Sequence, residues 1–231
     1  MMHFVIVTLG SADLVALALS SIRRYAPNCM VDLVPLPADT HDARAHGAAI
    51  DLWRSTFEGQ VLDDDVLVIM DPDVVLLSTQ WQREIAQAFE DRHVGIWGAG
   101  AQEDFGPRVH AHMMCIRGRV WNTLAATFTP CRDARERTWR DTGGLYCLAA
   151  IDAGWRVVPL ERGPDWHGVS AWWAMRKGEL SGTRIPTPLW AHLGSSTHSD
   201  IARLTPWQRI KRRKRIRQRR TFIKAAQAHV R

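Results

Sequence analysis

The chain has 231 residues, of which 46% are hydrophobic, enough for one domain with a real core, and its formal net charge is +6. Its longest apolar runs fall far short of the roughly 20 residues that span a bilayer. The opening MMHFVIVTLG has neither the basic start nor the small-residue cleavage site of a secretory signal. The expectation is therefore a globular, cytoplasmic protein.

The charge divides sharply. From Arg203 onward there are twelve Lys or Arg and no Asp or Glu, whereas residues 1–202 hold eighteen basic against twenty-four acidic side chains, a net of −6. This predicts a mildly acidic body, residues 1–202, and a basic C-terminal tail, residues 203–231. Cys29, Cys115, Cys131 and Cys147 lack the close pairing of a structural zinc site and read as reduced thiols.

HFVIVT reads as a short buried strand, followed by a helix in which Ser11 is the cap, Asp13 lies in the first turn, and Leu14, Val15, Ala18, Leu19 and Ile22 form the apolar face. A second strand is expected over Met30 to Leu36 and a second helix over His46 to Phe57. VLVIM is then a strand that runs into Asp71-Pro72-Asp73. The next helix has Ser78 or Thr79 as its cap and Trp81, Ile85, Ala88 and Phe89 turned inward. Alternation of this kind predicts a doubly wound, mostly parallel α/β sheet with helices on both faces, which binds ligands outside the carboxyl ends of its strands.

In the second half, VGIWGAG, HAHMMCIRG and WRVVPL read as strands and GRVWNTLAATF as a helix. DTGGLYCLAAIDAG reads as a helix capped by Asp141 or Thr142 and stopped by Gly154. Glu161 to Leu189, rich in Trp, Gly and Pro, reads as a long irregular loop that covers or shapes a site.

Two carboxylates at the end of an apolar strand need a cation, a set of donors, or water. Residues two apart in an extended or turning segment point the same way, and Pro72 prevents the strand from simply continuing, so Asp71 and Asp73 can meet one cation. Hard oxygen ligands suit Mg²⁺ or Mn²⁺ bridging to the phosphates of a substrate. The alternative is that Asp71 caps a turn and Asp73 is solvated.

The succession VIVTLGSADLVALALSSIRRYAP, RAHGAAIDLW and DDDVLVIMDPDVVLL resembles the nucleotide-sugar-dependent glycosyltransferases of GT-A type, over Phe4 to about Leu77. The resemblance implies a GT-A-like, Rossmann-type sheet whose D-x-D motif, here Asp71 and Asp73, chelates a divalent metal on the diphosphate of a sugar donor. WAHLGSS resembles the late H-x-G motif of several such families. It implies that His192 completes the metal site and that Gly194 and Ser195 approach the diphosphate, with His198 as a nearby competitor. An imidazole beside two carboxylates favours Mn²⁺ over Mg²⁺. Thr8 and Gly10 fall where the family places the nucleotide's base and ribose, and Asp39, Arg44, His46 and Gly47 where it makes a second nucleotide contact. Asp141 stands where inverting members place a catalytic base, although it also reads as the N-cap of its own helix. Arg140 precedes it in place of a second acid, which leaves the stereochemical outcome open. His110 and His112 alternate with Ala111 on an apolar strand; a structural role is the main reading, and the alternative is that one face reaches the site.

Eleven tryptophans exceed the usual share, and Trp166, Trp172 and Trp173 crowd the long loop with His167. Aromatic faces stack on sugars and bases, so Trp166 and His167 are the candidate acceptor wall. The tail reads as a helix with Pro206 at its first position and with Trp207, Ile210, Ile216, Phe222 and Ile223 in no tight stripe. Its partner is expected to be nucleic acid, an anionic membrane surface or the acidic body, the alternative being a solvated tail with no partner. The leading expectation is a metal-dependent glycosyltransferase acting on an acceptor hydroxyl, with modified DNA as one acceptor. The alternatives are a nucleotidyltransferase, for which LGSADL is a poor phosphate loop, and a nucleic-acid- or membrane-associated α/β protein without catalysis.

Overall fold

The structure, a computed structural model, describes residues 1–8, 12–36, 43–57, 59–103, 106–130, 141–177, 184–193 and 206–230. Strand β1 (Met2–Thr8), helix α1 (Ala12–Tyr25), β2 (Cys29–Pro35), α2 (Ala43–Thr56) and β3 (Val66–Met70) alternate as the sequence pattern requires. Beyond them come β4 (Val74–Leu76), α3 (Gln80–Glu90), β5 (Val94–Glu103), β6 (Gly106–Arg117), α4 (Gly118–Thr123), α5 (Gly144–Asp152) and β7 (Arg156–Leu160). Strands β8 (Ser170–Lys177) and β9 (Arg184–His192) and helix α6 (Pro206–Val230) complete the described elements.

The main sheet has the order β2-β1-β3-β6-β5-β7. Strands β1, β2 and β3 pair in parallel, as do β5 and β7, while β6 runs antiparallel to both of its neighbours. This is the mostly parallel, helix-flanked α/β architecture expected from the sequence. Side chains alternate across the sheet, so each strand feeds two cores. Val5, Val7, Leu67 and Ile69 pack with Ile50 and Trp53 of α2 and Tyr146 of α5. Phe4, Ile6, Val68 and Met70 pack with Ile22 of α1, Trp81 and Ile85 of α3, and Trp190. Each fully buried side chain of this size contributes about 1.5–3 kcal/mol.

Three elements depart from the sequence expectations. Glu161 to Leu189 is not one irregular loop: β8 and β9 pair antiparallel, and β4 joins them in a second sheet of order β4-β9-β8. The helix expected over GRVWNTLAATF stops at Thr123, because the Arg54 guanidinium takes the Trp121 carbonyl at 2.7 Å and the Ala126 carbonyl at 3.0 Å, satisfying backbone that leaves the helix. Helix α5 begins at Gly144, and its N-cap, Gly143 at φ 82°, offers no side chain; neither Asp141 nor Thr142 caps it.

Among the described cysteines, Cys29, Cys115 and Cys147 are free thiols, as expected; Cys131 lies outside the described residues. No described helix is long and apolar enough to cross a membrane.

Candidate active site

The run from Val66 to Leu77 is two strands in two sheets. Asp71-Pro72-Asp73 is the crossing between them, which explains why carboxylates interrupt so apolar a stretch. The backbone fixes the crossing on three sides. The Asp71 N–H donates to the His112 carbonyl at 3.1 Å, the Val74 N–H to the Asp71 carbonyl at 3.2 Å, and the Leu193 N–H to the Asp73 carbonyl at 3.1 Å. Val74 pairs directly with His192, so the antiparallel register of β4 and β9 carries the late histidine to the acidic pair across more than a hundred residues of sequence.

Asp71, Asp73 and His192 each offer a donor atom within 4.8 Å of the others. His192 Nε2 stands 3.2 Å from Asp73 Oδ1 and 3.8 Å from Asp71 Oδ2. The Asp73 side chain is 5% exposed, so its charge has little water to stabilise it. Burial pushes the Asp71 carboxyl up, and the charges of Asp73 and Asp141 add to that, against a lowering contribution from His46 and His192. Burial opposes protonation of His192, but the charge and hydrogen bond of Asp73, helped by Asp71, outweigh it and raise its pKa. A crowded carboxylate that resists ionisation, a second buried one and an imidazole form a donor set that a divalent cation satisfies, and two oxygens with one nitrogen fit Mn²⁺.

His46, on the first turns of α2, directs Nε2 to Asp71 Oδ1 at 3.4 Å, on the opposite side of the carboxylate from His192. Expected at the nucleotide, it lies beside a carboxylate of the acidic pair. Gly47 is buried against the loop that follows α4: a Cβ there would lie 2.5 Å from the Phe128 carbonyl oxygen and from Thr129 Cα. Asp51, one turn on, accepts hydrogen bonds from the Phe128 N–H at 2.8 Å and the Thr129 hydroxyl at 2.8 Å. The block HGAAID thus joins helix to loop as well as facing the site.

Thr8 ends β1 on the carboxyl edge of the sheet, where its hydroxyl lies 3.4 Å from the Val34 carbonyl, and Arg44 lies exposed at the start of α2. Gly10, Asp39, Gly194, Ser195 and His198 lie outside the described residues.

Strand β6 contributes more than the sequence reading gave it. Gly98 of β5 pairs with Met114 and Gly100 with Val109, so two steps along β5 face five along β6. The surplus bulges at residues 110–113, the kind of ladder break that re-aims side chains beside sites. The rings of His110 and His112 stack at 5.6 Å, and those of His112 and His192 at 4.2 Å. Beyond them, Arg108 lies 3.4 Å and His110 Nδ1 3.9 Å from Asp141 Oδ2. The side-chain interaction with His110 is the largest influence holding the Asp141 carboxyl below its usual range. Burial opposes it, while the Thr142 N–H, at 2.8 Å from Oδ1, and Arg108 reinforce it. The side chain expected to cap α5 is thus held by β6. The sequence signal was the alternation Arg108, His110, His112 on one face of an otherwise apolar strand.

Trp166 and His167 form a tight turn, with His167 at φ 48° and Gly168 at φ 81°; Trp166 packs edge-on against Phe222 and His229 of α6, and His167 is exposed. Trp172 is buried between Trp190 and His112 and offers no open face to an acceptor.

No family model matches the chain, and no curated protein matches it in sequence. Among solved structures, it is similar to a mannosyltransferase from Pyrobaculum calidifontis, determined in complex with GDP-Man and Mn²⁺, at 14% identity and a TM-score of 0.46. The match covers 71% of this chain and 55% of that one, so this chain spans little more than half the neighbour's length. A likeness at that level carries no argument about activity.

Proposed function

We propose that the chain is a metal-dependent glycosyltransferase that moves a sugar from a nucleoside diphosphate sugar to an acceptor hydroxyl. The observation that carries this reading is the convergence of Asp71, Asp73 and His192 at the crossing between two sheets, beside the carboxyl ends of β1 and β3. Asp71, Asp73 and His192 would hold a divalent cation, Mn²⁺ by the mixed donor set, which supplies electrostatic stabilisation to a departing diphosphate. His46 orients Asp71. Thr8 and Arg44 stand on the same edge, where a nucleotide would lie; Gly10, Gly194 and Ser195 belong to the same expectation.

Asp141 is the proposed base. The acceptor O–H gives its proton to Asp141 as the acceptor oxygen bonds to the anomeric carbon, and the bond from that carbon to the diphosphate breaks, with its electron pair leaving on phosphate oxygen. Arg108 and His110 keep the Asp141 carboxyl ionised and ready to accept that proton. Trp166 and His167 remain the proposed acceptor contacts, beside α6.

Calorimetry of the whole chain against a panel of nucleoside diphosphate sugars, with and without Mn²⁺, tests the proposal. It predicts binding of at least one donor that requires the metal; binding of none, or binding indifferent to EDTA, contradicts it. Asp141→Asn should retain donor binding and lose transfer by about 100-fold or more. Unchanged transfer would remove Asp141 from the mechanism.

A further inference from the structure

The basic tail is docked, and the way it is docked decides what its charge faces. Phe222 and Ala226, four residues apart, are fully buried in a core shared with Leu14 and Leu17 of α1, Val75, Leu77, Val169 and Ala171. Arg219 grips both oxygens of Asp13 at 2.7 and 2.9 Å, and Gln218 Nε2 donates to the Gly168 carbonyl at 2.6 Å. His229 Nε2 lies 2.6 Å from the Leu77 carbonyl, and the Tyr25 hydroxyl donates to the His229 carbonyl at 3.3 Å.

With the buried side fixed, helical periodicity places Arg217, Arg220 and Lys224 on the opposite side, and all three are exposed, as is Lys214. The helix contains no acid, and among the described residues the ion pair that reaches it is Arg219 with Asp13. The outward charges therefore repel one another along a rigid ridge, a cost that an external polyanion relieves.

We propose that this ridge of α6 binds the phosphate backbone of nucleic acid. A lipid surface is the poorer fit: helices that lie on bilayers turn an apolar face outward, whereas α6 spends Phe222 and Ala226 on the body and, among its described large apolar side chains, exposes only Ile216, at 44%. Phosphates require only charge and forked donors. At about 1.5 Å per residue the 25-residue helix is roughly 37 Å long, close to one turn of duplex DNA at about 34 Å. The ridge also adjoins the chemistry. Val75, two residues after Asp73, shares its core with Phe222, and the exposed His167 lies in the turn that Gln218 holds. On the glycosyltransferase reading above, a strand bound there is the acceptor; phosphate binding itself does not depend on that reading.

The test is fluorescence anisotropy of labelled duplex DNA with the full chain, for the wild type and for Arg217→Gln/Arg220→Gln/Lys224→Gln, across a series of NaCl concentrations. These side chains are exposed, so the variant should keep its melting temperature and its Mn²⁺ affinity. The expected result is binding weakened by at least about 10-fold, with the slope of log K against log salt less steep by roughly 2 to 3, at about 0.9 per lost phosphate contact. Equal binding by the variant overturns the proposal. So does association with phosphatidylserine vesicles in the absence of DNA binding. Nucleotide-sugar hydrolysis measured alongside keeps the two readings apart: DNA binding without hydrolysis sinks the enzyme and leaves the ridge, and hydrolysis without DNA binding does the reverse.

Discussion

The imidazole rings of His112 and His192 lie face to face, with centroids 4.2 Å apart and planes 11° from parallel. Strand β6 supplies one ring and β9 the other, so the stack crosses from the main sheet to the small one and fixes the plane in which His192 presents Nε2 to Asp73. Burial holds the His112 pKa well down, with the neighbouring His192 and His110 adding to the effect, which favours the neutral ring, and its Nε2 has no hydrogen-bond partner among the described residues. A flat apolar ring would serve the same purpose without that orphaned polar atom. His112→Phe is expected to keep Mn²⁺ affinity within about 3-fold and to hold or raise the melting temperature. His112→Ala should weaken Mn²⁺ binding by about 10-fold or more, in the range of other supporting residues around metal ligands. Calorimetric titration of both variants checks this, and equal affinities would show that the stack does not orient His192.

His46 stands behind Asp71 rather than among the three converging donors. Groups that orient a ligating carboxylate typically change metal affinity by about 10- to 100-fold when removed. His46→Ala should fall in that range, and His46→Gln, whose amide can donate a hydrogen bond toward Asp71, should recover part of the loss. Mn²⁺ titration followed by electron paramagnetic resonance reads this directly. A variant that binds Mn²⁺ normally while losing nucleotide affinity would return His46 to the nucleotide contact suggested by its sequence position.

Metal binding should be pH-dependent with a definite sign. The Asp73 contacts raise the His192 pKa above its ordinary value of about 6.5, and Asp71 is also shifted up. A metal needs both groups deprotonated, so protons compete with Mn²⁺ at a higher pH than for isolated side chains. Affinity should fall as pH drops through about 7, and binding near neutral pH should release protons, seen as a binding heat that varies with the ionisation heat of the buffer. Affinity that is flat between about pH 8 and 6 would contradict the assigned ligand set.

How much of this was legible in the sequence follows from the range of the interactions concerned. The order of elements through Leu77 and the acidic pair at a strand end were readable because apolar periodicity and the Asp-Pro-Asp break are local signals. The small sheet was missed because Pro186 and Pro188 interrupt β9 and tryptophans crowd β8, which obscures the alternation that marks a strand. The bulge that brings His110 and His112 to the site is a property of the pairing between β5 and β6 and has no sequence signature of its own. The early stop of α4 depends on Arg54, some seventy residues away. The docking of α6 was hidden because half of its buried face is Ala226, too small to register as part of an apolar stripe.

The most direct test of the central claim is the rate at which nucleoside diphosphate is released from a sugar donor with Mn²⁺ present, compared between the wild type and Asp73→Asn. Asparagine keeps the shape of a side chain that is 5% exposed and removes the charge that faces His192 at 3.2 Å. The account predicts Mn²⁺-dependent release by the wild type that falls by at least about 100-fold in the variant, while both melt at similar temperatures. Release that persists in the variant, or that proceeds unchanged in EDTA, would contradict it.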